Sequence, residues 1–277
     1  MRPRGMIRAM NRLLIACVLL VPVLAIADKP AAPSAPDIAS LLATDADLGA
    51  AFAFTAYGVY QGTAAQAPAV PKAHVARNVI GAFSKNKNAY WASAELATSA
   101  TAKDVDGHAS ALWEKSDTGW KLIAFSIVPT ATSTQQQAAH KTGLSPPKVH
   151  DANGASGEYF LTVFAKVFGN DAVDTVANRK DAVMFGSGPT ERYVGGDAIK
   201  KMLTGWNLAF EVRDGLASGL TKGRLLWIAA NLNARPANNA KAAPTPYRVF
   251  LIFEGSGDDT YELVHASFAA MTAQAWP

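Results

Sequence analysis

Two apolar stretches with a short polar turn between them, at residues 248–254 and 261–268, have the pattern of a β-hairpin. Both stretches are rich in Val, Phe, Leu and Ile, which fit a pleated, half-buried surface. The Gly, Ser and Asp residues at 255–259 favour a tight reversal, because Gly accepts positive φ and Asp bonds its own backbone. We therefore predict two antiparallel strands joined at 255–259.

The same arrangement of apolar and polar positions occurs earlier, at residues 111–128. Here Leu112-Trp113-Glu114 takes the place of Ile252-Phe253-Glu254, and a Ser-Asp-Thr-Gly turn separates the strands. The positions that match beyond the turn are Trp120 with Tyr261, Leu122 with Leu263, and Ser126 with Ser267. One hairpin pattern is therefore used twice in the chain.

The segments that precede the two hairpins also align. Residues 74–97 match residues 210–233 without a gap, and an Arg is followed by a Trp after 14 positions in both, Arg77 to Trp91 and Arg213 to Trp227. The paired strand patterns lie at 77–84 and 89–98 in the first segment and at 213–221 and 224–234 in the second. A divergent internal duplication explains both matches.

Apolar residues recur at helical spacing in four other stretches, 37–48, 156–168, 172–177 and 197–206. The stretch 156–168 has the clearest aromatic stripe, and Asp37 and Asp197 are placed to cap two of the other helices. We also predict a strand over 52–60 and a strand pair within 181–194, which completes the predicted elements.

These patterns divide the chain into a signal peptide at 1–27, a Pro/Ala-rich linker at 28–36, a first repeat at 37–128, a polar linker at 129–153 and a second repeat at 154–277. The first repeat lacks a counterpart of helix 156–168. Two prolines also interrupt residues 63–71, where the second repeat has helix 197–206. We therefore regard the first repeat as a degenerate copy.

Residues 1–27 have the organisation of a secretory signal peptide. Four arginines and no acidic residue flank an apolar run at 13–26, and Ala25-Ile26-Ala27 is an A-x-A cleavage pattern. An uncleaved anchor is one alternative, although a membrane span needs ~20 apolar residues. A lipobox ending at Cys17 is another, although the apolar run continues past Cys17. We predict a secreted or periplasmic protein after cleavage near Ala27, with a lipoprotein at Cys17 less favoured.

Removal of the signal peptide changes the charge and therefore the expected partners. The full chain has 26 basic and 22 acidic residues, and loss of the four arginines in 1–27 leaves 22 of each. A formally neutral chain without a basic patch gives no reason to expect nucleic acid, and we expect no stable membrane span. Cys17 is the only cysteine, so we expect no disulfide, thiol nucleophile or cysteine metal site in the mature protein.

The last predicted strand carries a motif, Asp-Thr-Tyr-Glu-Leu-Val-His at 259–265. It is similar to the closing strand Gly-Trp-(Lys/Arg)-Ile-Val-His-x-His-x-Ser of SnoaL-like domains, with Tyr261 in place of the Trp and Ser267 at the second His position. The strand at 227–232, and residues 193–196 leading into Asp197, add to this likeness. The second repeat thus resembles the NTF2-like superfamily. The first repeat keeps Gly-Trp-Lys at 119–121 but has neither histidine.

The resemblance covers residues 154–277 and, more weakly, 37–128. It implies an α+β fold of two tandem NTF2-like cones, each a curved antiparallel sheet that helices wrap around a pocket. Members of the superfamily include isomerases, dehydratases and cyclases, ligand-binding proteins, and scaffolds that dimerise through the sheet. Fold alone does not choose among these functions.

Strand alternation sorts the side chains of the second repeat into two faces. The face that we expect to be core contains Ile228, Ala230, Leu232, Val264, Ala266 and Phe268. The other face is mixed and contains Trp227, Ala229, Asn231, Asn233, Leu263, His265 and Ser267. We expect this mixed face to line a pocket or to form a contact between the repeats.

His265 is the candidate catalytic residue, because an imidazole in a semi-apolar pocket titrates near neutrality and can act as a general base. The candidate ligand-binding residues are Trp227, Asn231, Tyr193 and Ser267. Asn231 would orient a carbonyl, and Tyr193 or Asp197 would serve as the acid. The structural alternatives are a hydrogen-bonded His265 inside a buried sheet, an N-cap role for Asp197, and core positions for the tryptophans.

The remaining histidines are isolated in the sequence, so we predict no metal site, and we predict no cofactor. Two functional hypotheses follow. The first is a non-catalytic module that binds a hydrophobic small molecule or acts through repeat–repeat packing or a homodimer. The alternative is an isomerase or dehydratase that acts on a hydrophobic small molecule with His265 as the general base.

Overall fold

The computed structural model describes residues 34–41, 52–55, 59–61, 74–136, 173–220, 222, 224–257 and 260–270. The predicted signal peptide, helix 156–168, the broken stretch 63–71 and most of the linker 129–153 lie outside these residues. Across the described ranges, no helix is long and apolar enough to cross a membrane.

The first sheet follows a short helix, α1 (Ile38–Leu41), in which the Asp37 carboxylate accepts a hydrogen bond from the Ala39 N–H, as predicted for a cap. Its six strands are β1 (Phe52–Thr55), β2 (Val59–Gln61), β3 (Val75–Phe83), β4 (Ala89–Ala97), β5 (Gly107–Ser116) and β6 (Gly119–Pro129). They are arranged in the order β2-β1-β6-β5-β4-β3, with β1 parallel to β6 and the other pairs antiparallel.

The second sheet has the same strand order. Its elements are β7 (Val183–Phe185), β8 (Arg192–Val194), helix α2 (Gly196–Gly205), β9 (Leu208–Leu220), β10 (Leu225–Pro236), β11 (Thr245–Gly257) and β12 (Thr260–Ala270). The order is β8-β7-β12-β11-β10-β9, and the pair β12–β7 is the parallel one. The sheet-rich architecture with few helices agrees with the α+β class, and the predicted hairpins at 111–128 and 247–268 are confirmed.

Three predicted elements differ from the structure. The stretch 52–60 is not one strand but an antiparallel pair, β1 and β2. Residues 172–177 were predicted as a helix, but 173–175 form a turn and Val176 makes a parallel bridge to Leu263, because a short apolar run also fits a strand. Asp197 does not cap α2. The cap position belongs to Gly195, whose φ of 88° is left-handed, and Asp197 lies in the first turn.

Each sheet has a bulge near the start of its last strand. In the second sheet Ile252 pairs with His265 and Phe253 with Leu263, so Val264 is the extra residue. In the first sheet Leu112 pairs with Ala124 and Trp113 with Leu122, so the extra residue is Ile123. A second irregularity falls at 78–79 in β3 and at position 213 in β9, where 213 aligns with Arg77, one position earlier.

The bulge reverses part of the predicted division into faces. We expected Val264 on the core face and Leu263 beside His265, but Leu263 packs with Ala266 and Phe268, and Val264 points the other way. Alternation is broken because two consecutive residues oppose one partner at a bulge. The predicted positions of Ile228, Ala230 and Leu232 are correct.

Among the described residues the apolar side chains form three large cores and one small cluster, Val128 with Ala269, and both sheets lie within one compact unit, Ala35–Pro277. The first outer core lies on one face of the first sheet and includes Ile38, Leu96, Trp113, Phe125 and Ile127. The second outer core combines α2 with one face of the second sheet and includes Ile199, Met202, Leu251, Phe253 and Phe268. The inter-sheet core joins the other two faces and includes Trp91, Leu112, Ala124, Phe185, Trp227, Phe250, Ile252 and Val264.

Candidate functional site: the polar band between the sheets

Buried polar side chains continue from the inter-sheet core along the faces that the two sheets turn towards each other. They lie at alternate positions of the strands, on the same face as the core residues Trp91, Leu112, Ala124, Trp227 and Phe250. Those from the first sheet are Ser93, Glu95, His108, Ser110 and Ser126, and those from the second are Asn231, Asn233, Arg248, His265 and Ser267. We call this set the polar band, and each of its members is at most 8% exposed.

His265 lies in the polar band with no exposed surface. Its ring stacks on Trp91 of the first sheet, with centroids 5.6 Å apart and an interplanar angle of 27°. The rings of Phe185 and Phe250 each lie 6.2 Å from it. Burial lowers the pKa of His265 to about 3, against a smaller raising effect of the Val183 backbone. The imidazole is therefore neutral at physiological pH.

His108 of the first sheet approaches the same aromatic side chain. Its ring stacks on Phe185 with centroids 4.1 Å apart and an interplanar angle of 12°, and it is 1% exposed. Burial, followed by the nearby His265 and Arg192, lowers the pKa of His108 to about 3. The two sheets thus contribute one neutral histidine each to a shared aromatic cluster.

Sequence reasoning missed His108, because it lies far from His265 along the chain and belongs to no motif. The available signal was strand alternation, which places His108 on the same side of β5 as Ser110 and Leu112. That signal locates the residue on a face, but it does not say which other strand packs there.

Asn231, a predicted ligand-binding residue, is bound within its own sheet. Its Oδ1 accepts a hydrogen bond of 3.0 Å from Nε of Arg248, and both side chains are buried. Asn231 and Arg248 are cross-strand partners on β10 and β11. The Asn231 carbonyl is therefore engaged by a guanidinium, an interaction stronger than a neutral hydrogen bond.

Glu95 connects the two sheets at one end of the polar band. It is 3.3 Å from Nε of Arg77 and accepts a 2.6 Å hydrogen bond from Nδ2 of Asn78, both within the first sheet. Arg192, on β8 of the second sheet, approaches Glu95 to 3.7 Å and donates a 3.2 Å hydrogen bond to the Asn78 carbonyl. A buried carboxylate is thus surrounded by two guanidinium groups, as its burial requires.

The other predicted ligand-binding residues fall on different faces. Trp227 belongs to the inter-sheet core, and Ser267 belongs to the polar band. Tyr193 packs against the second outer core instead, and burial followed by the charge of Glu191 raises its pKa. The structure therefore brings Trp227, Asn231, Ser267 and His265 to one face and leaves Tyr193 on the opposite face of the sheet.

A second set of polar contacts joins the sheets at their turns. Buried Glu254, at the end of β11, accepts hydrogen bonds from Arg179 and from the N–H of Lys85 in the β3–β4 turn. Glu114, the residue that corresponds to it on β5, accepts a 3.2 Å hydrogen bond from the N–H of Lys222 in the β9–β10 turn. A structural role thus explains why Glu recurs at this position. A cleft of about 230 Å³ lies beside Glu254 and is lined by Lys85, Asn86, Arg224, Glu254, Gly255 and Ser256.

The chemistry available in the polar band follows from its burial. Glu95 is its only carboxylate among the described residues, and the residues around Glu95 are cationic. His265 is enclosed by aromatic rings rather than by an acid partner. Within the same residues, no group of three or more His, Cys, Asp or Glu side chains is placed to hold a metal ion. The arrangement can join two sheets and keep two imidazoles neutral.

No protein-family model matches the sequence, and no curated protein matches it either. Among solved structures, an NTF2-like protein of unknown function from Pseudomonas putida KT2440 is 12% identical and covers 46% of this chain and 99% of its own, with a TM-score of 0.34. A ketosteroid isomerase-like protein from Erwinia carotovora atroseptica is 14% identical, with coverages of 43% and 92% and a TM-score of 0.30.

Nuclear transport factor 2 from Cryptosporidium parvum is 10% identical to this chain, with coverages of 45% and 99% and a TM-score of 0.31. Each of these proteins matches less than half of the chain at low identity. With TM-scores of 0.30 to 0.34, these similarities assign neither an activity nor a ligand to this chain.

Proposed function

We propose that the chain is a secreted or periplasmic, non-catalytic protein of two tandem NTF2-like units that binds a small hydrophobic ligand. The first unit packs against the second within the same chain, and the ligand binds on the outer face of the second sheet. The observation that carries this proposal is the packing of the predicted mixed face of the second sheet against the first sheet in one inter-sheet core.

Three features support two tandem copies. The sheets share one strand order, and their bulges lie at corresponding residues, Ile123 and Val264. The contacts between the turns are also reciprocal, because Glu114 and Glu254 each accept an N–H from the turn of the other sheet. Reciprocal use of the same position is what an isologous contact between two related units requires.

The burial of His265 supports a non-catalytic role. A general base must come within hydrogen-bonding reach of the proton that it removes. His265 has no exposed surface and lies between Trp91 and Phe185, so a substrate would have to enter between the sheets. The hypothesis that His265 acts as a base receives no support from this geometry.

The outer face of the second sheet offers a different kind of surface. Trp206, Phe210 and Tyr247 are only partly buried and surround Phe268, at centroid distances of 5.1, 6.4 and 6.4 Å. Their rings meet edge to face or at a tilt. Aromatic side chains that are partly exposed supply large apolar contact area, which is typical of pockets for small hydrophobic ligands.

The test is a thermal-shift screen of fatty acids, sterols and flat aromatic compounds on the mature protein. We expect a hydrophobic compound to raise the melting temperature of the wild type and of Phe83→Ala, a control that removes a partly exposed ring from the first sheet. We expect Phe210→Ala to lose this shift, because its ring belongs to the aromatic cluster on the second sheet.

His265→Ala separates the competing explanations. If His265→Ala keeps the thermal shift, the result agrees with binding on the outer face. If His265→Ala loses the shift and Phe210→Ala keeps it, the ligand would instead bind in the polar band. Absence of a shift with every compound would contradict ligand binding. Turnover of a hydrophobic ketone by the wild type but not by His265→Ala would contradict a non-catalytic protein.

A further inference from the structure

The two buried histidines of the polar band come from opposite sheets and contact the same phenylalanine. We propose that His108 and His265 form an acid-sensitive lock, in which protonation of both imidazoles drives the two sheets apart. The proposal depends on the packing of the sheets and is independent of whether the outer face binds a ligand.

The geometry makes the two histidines a shared feature of the interface. Phe185, on β7 of the second sheet, stacks on His108 of the first. Trp91, on β4 of the first sheet, stacks on His265 of the second. Each imidazole is therefore held by a ring of the opposite sheet. Because both side chains are buried, water can protonate either ring only after the two sheets separate in part.

The charges around the lock cannot accommodate two further cations. Arg192 on β8 and Arg248 on β11 already carry positive charge at the interface, and Arg77 on β3 adds a third guanidinium beside Glu95. Glu95 on β4 is the only carboxylate of the polar band among the described residues. The facing residues of β6, β7 and β10 are Ser126, Phe185 and Asn231, which are uncharged. Within the part of the chain that the structure describes, a protonated pair would therefore lack counter-charge in a desolvated site.

Asp106 lies two residues before His108, but it is already 3.2 Å from Nε2 of His74. Both partners lie beside strands of the first sheet, His74 before β3 and Asp106 before β5. The His74–Asp106 pair therefore does not supply the force that separates the sheets, and His74 provides a matched control.

The pH range follows from linkage. Above the ordinary histidine pKa of 6.5, both imidazoles are neutral whether the sheets are packed or apart, and packing has its full strength. Between 6.5 and about 3, the separated form binds protons and the packed form does not. In this range, each unit by which the pH falls thus raises the equilibrium constant for separation about tenfold for each histidine, or about a hundredfold for the pair.

The experiment follows the fluorescence of the mature protein from pH 8 to pH 3.5, together with binding of a hydrophobic dye and the radius of gyration from small-angle scattering. Trp91 and Trp227 report on the interface because both belong to the inter-sheet core. We expect separation below pH 6 with uptake of about two protons, measured by potentiometric titration against the unfolded chain.

The double variant His108→Gln/His265→Ala tests the assignment because it removes both imidazoles. Alanine is chosen at 265 because Ala124 occupies the corresponding position in the first sheet. We expect its transition to move at least one pH unit lower, whereas His74→Gln keeps the wild-type midpoint. If the double variant does not fold, the proton uptake of the two histidines in the wild type tests the proposal instead. The proposal would be overturned if the sheets of the double variant separated at an unchanged pH. It would also be overturned if histidine NMR spectra of the wild type showed a transition without proton uptake by these two rings.

Discussion

Glu114 and Glu254 hold the same position in the two hairpins, yet their surroundings differ. Glu254 is 2% exposed and bonds both Arg179 and the Lys85 N–H. Glu114 is partly exposed and bonds only the N–H of Lys222 among the described contacts. The strength of a carboxylate interaction depends on its desolvation, so the two glutamates contribute different amounts to the free energy of unfolding.

We predict that Glu254→Gln lowers the free energy of unfolding by about 2 kcal/mol, because Arg179 then loses a buried counter-charge. Glu114→Gln is the matched control and should cost below about 0.5 kcal/mol. Urea unfolding monitored by circular dichroism measures both values. Equal effects of the two substitutions would show that the buried ion pair is not what distinguishes the two sites.

Among the elements, the strands and helix α2 were predictable because their patterns are local. Ile199, Met202 and Leu203 have the helical spacing and are buried as expected. The position of the cap was not predictable in the same way. Gly195 has φ of 88°, and a Cβ on Gly196 would lie 2.3 Å from the carbonyl oxygen of Ala177. The contact with residue 177 is tertiary, so local capping preferences could not reveal it.

We predict that Gly196→Ala destabilises the protein by more than about 2 kcal/mol, because backbone rather than a flexible side chain must move. Gly205→Ala, at the other end of the same helix, meets no atom within 4 Å and should be neutral or stabilise by up to about 1 kcal/mol. Thermal denaturation of the two variants gives the comparison. A Gly196→Ala protein as stable as Gly205→Ala would disprove the steric argument.

The bulge at Val264 shows a second limit at this scale. Leu263, Val264 and His265 are consecutive, and strict alternation placed Leu263 and His265 on one face. In the structure Val264 and His265 both belong to the inter-sheet side, because Val264 has no partner of its own on β11. An extra residue in one strand depends on register with the neighbouring strand, which composition does not encode.

In the whole molecule, the inter-sheet core couples the two sheets. Its tryptophan and phenylalanine side chains are at most 2% exposed, and burial of each contributes ~1.5–3 kcal/mol or more. Neither sheet can unfold without exposing the apolar face of the other. The two predicted repeats should therefore behave as one cooperative unit.

We predict a single transition in denaturant, with coincident fluorescence and circular dichroism curves. Trp91→Ala should lower the free energy of unfolding by about 3–5 kcal/mol, because the ring is fully buried between the sheets. Trp120→Ala, which removes a partly exposed ring from the outer side of the first sheet, should cost less than half as much. Two separate transitions in the wild type would contradict the coupling.

The cellular location is a further prediction for the whole chain. Expression of the full sequence in a Gram-negative host should yield a periplasmic protein whose N-terminus, by mass spectrometry, begins at Asp28. Cys17→Ala should leave processing unchanged, since the predicted cleavage removes that residue. A lipid-modified product, or retention of residues 1–27 in the membrane fraction, would contradict cleavage near Ala27.

The sequence was sufficient to predict helix α2, the two corresponding hairpins, and the face on which most of their side chains lie. These properties depend on local periodicity, which is visible along one chain. Only the tertiary structure decided what lies against the mixed face. His265 is within reach of Trp91 and near His108 because two distant sheets pack together, and register, bulges and packing partners are properties of pairs of elements rather than of either element alone.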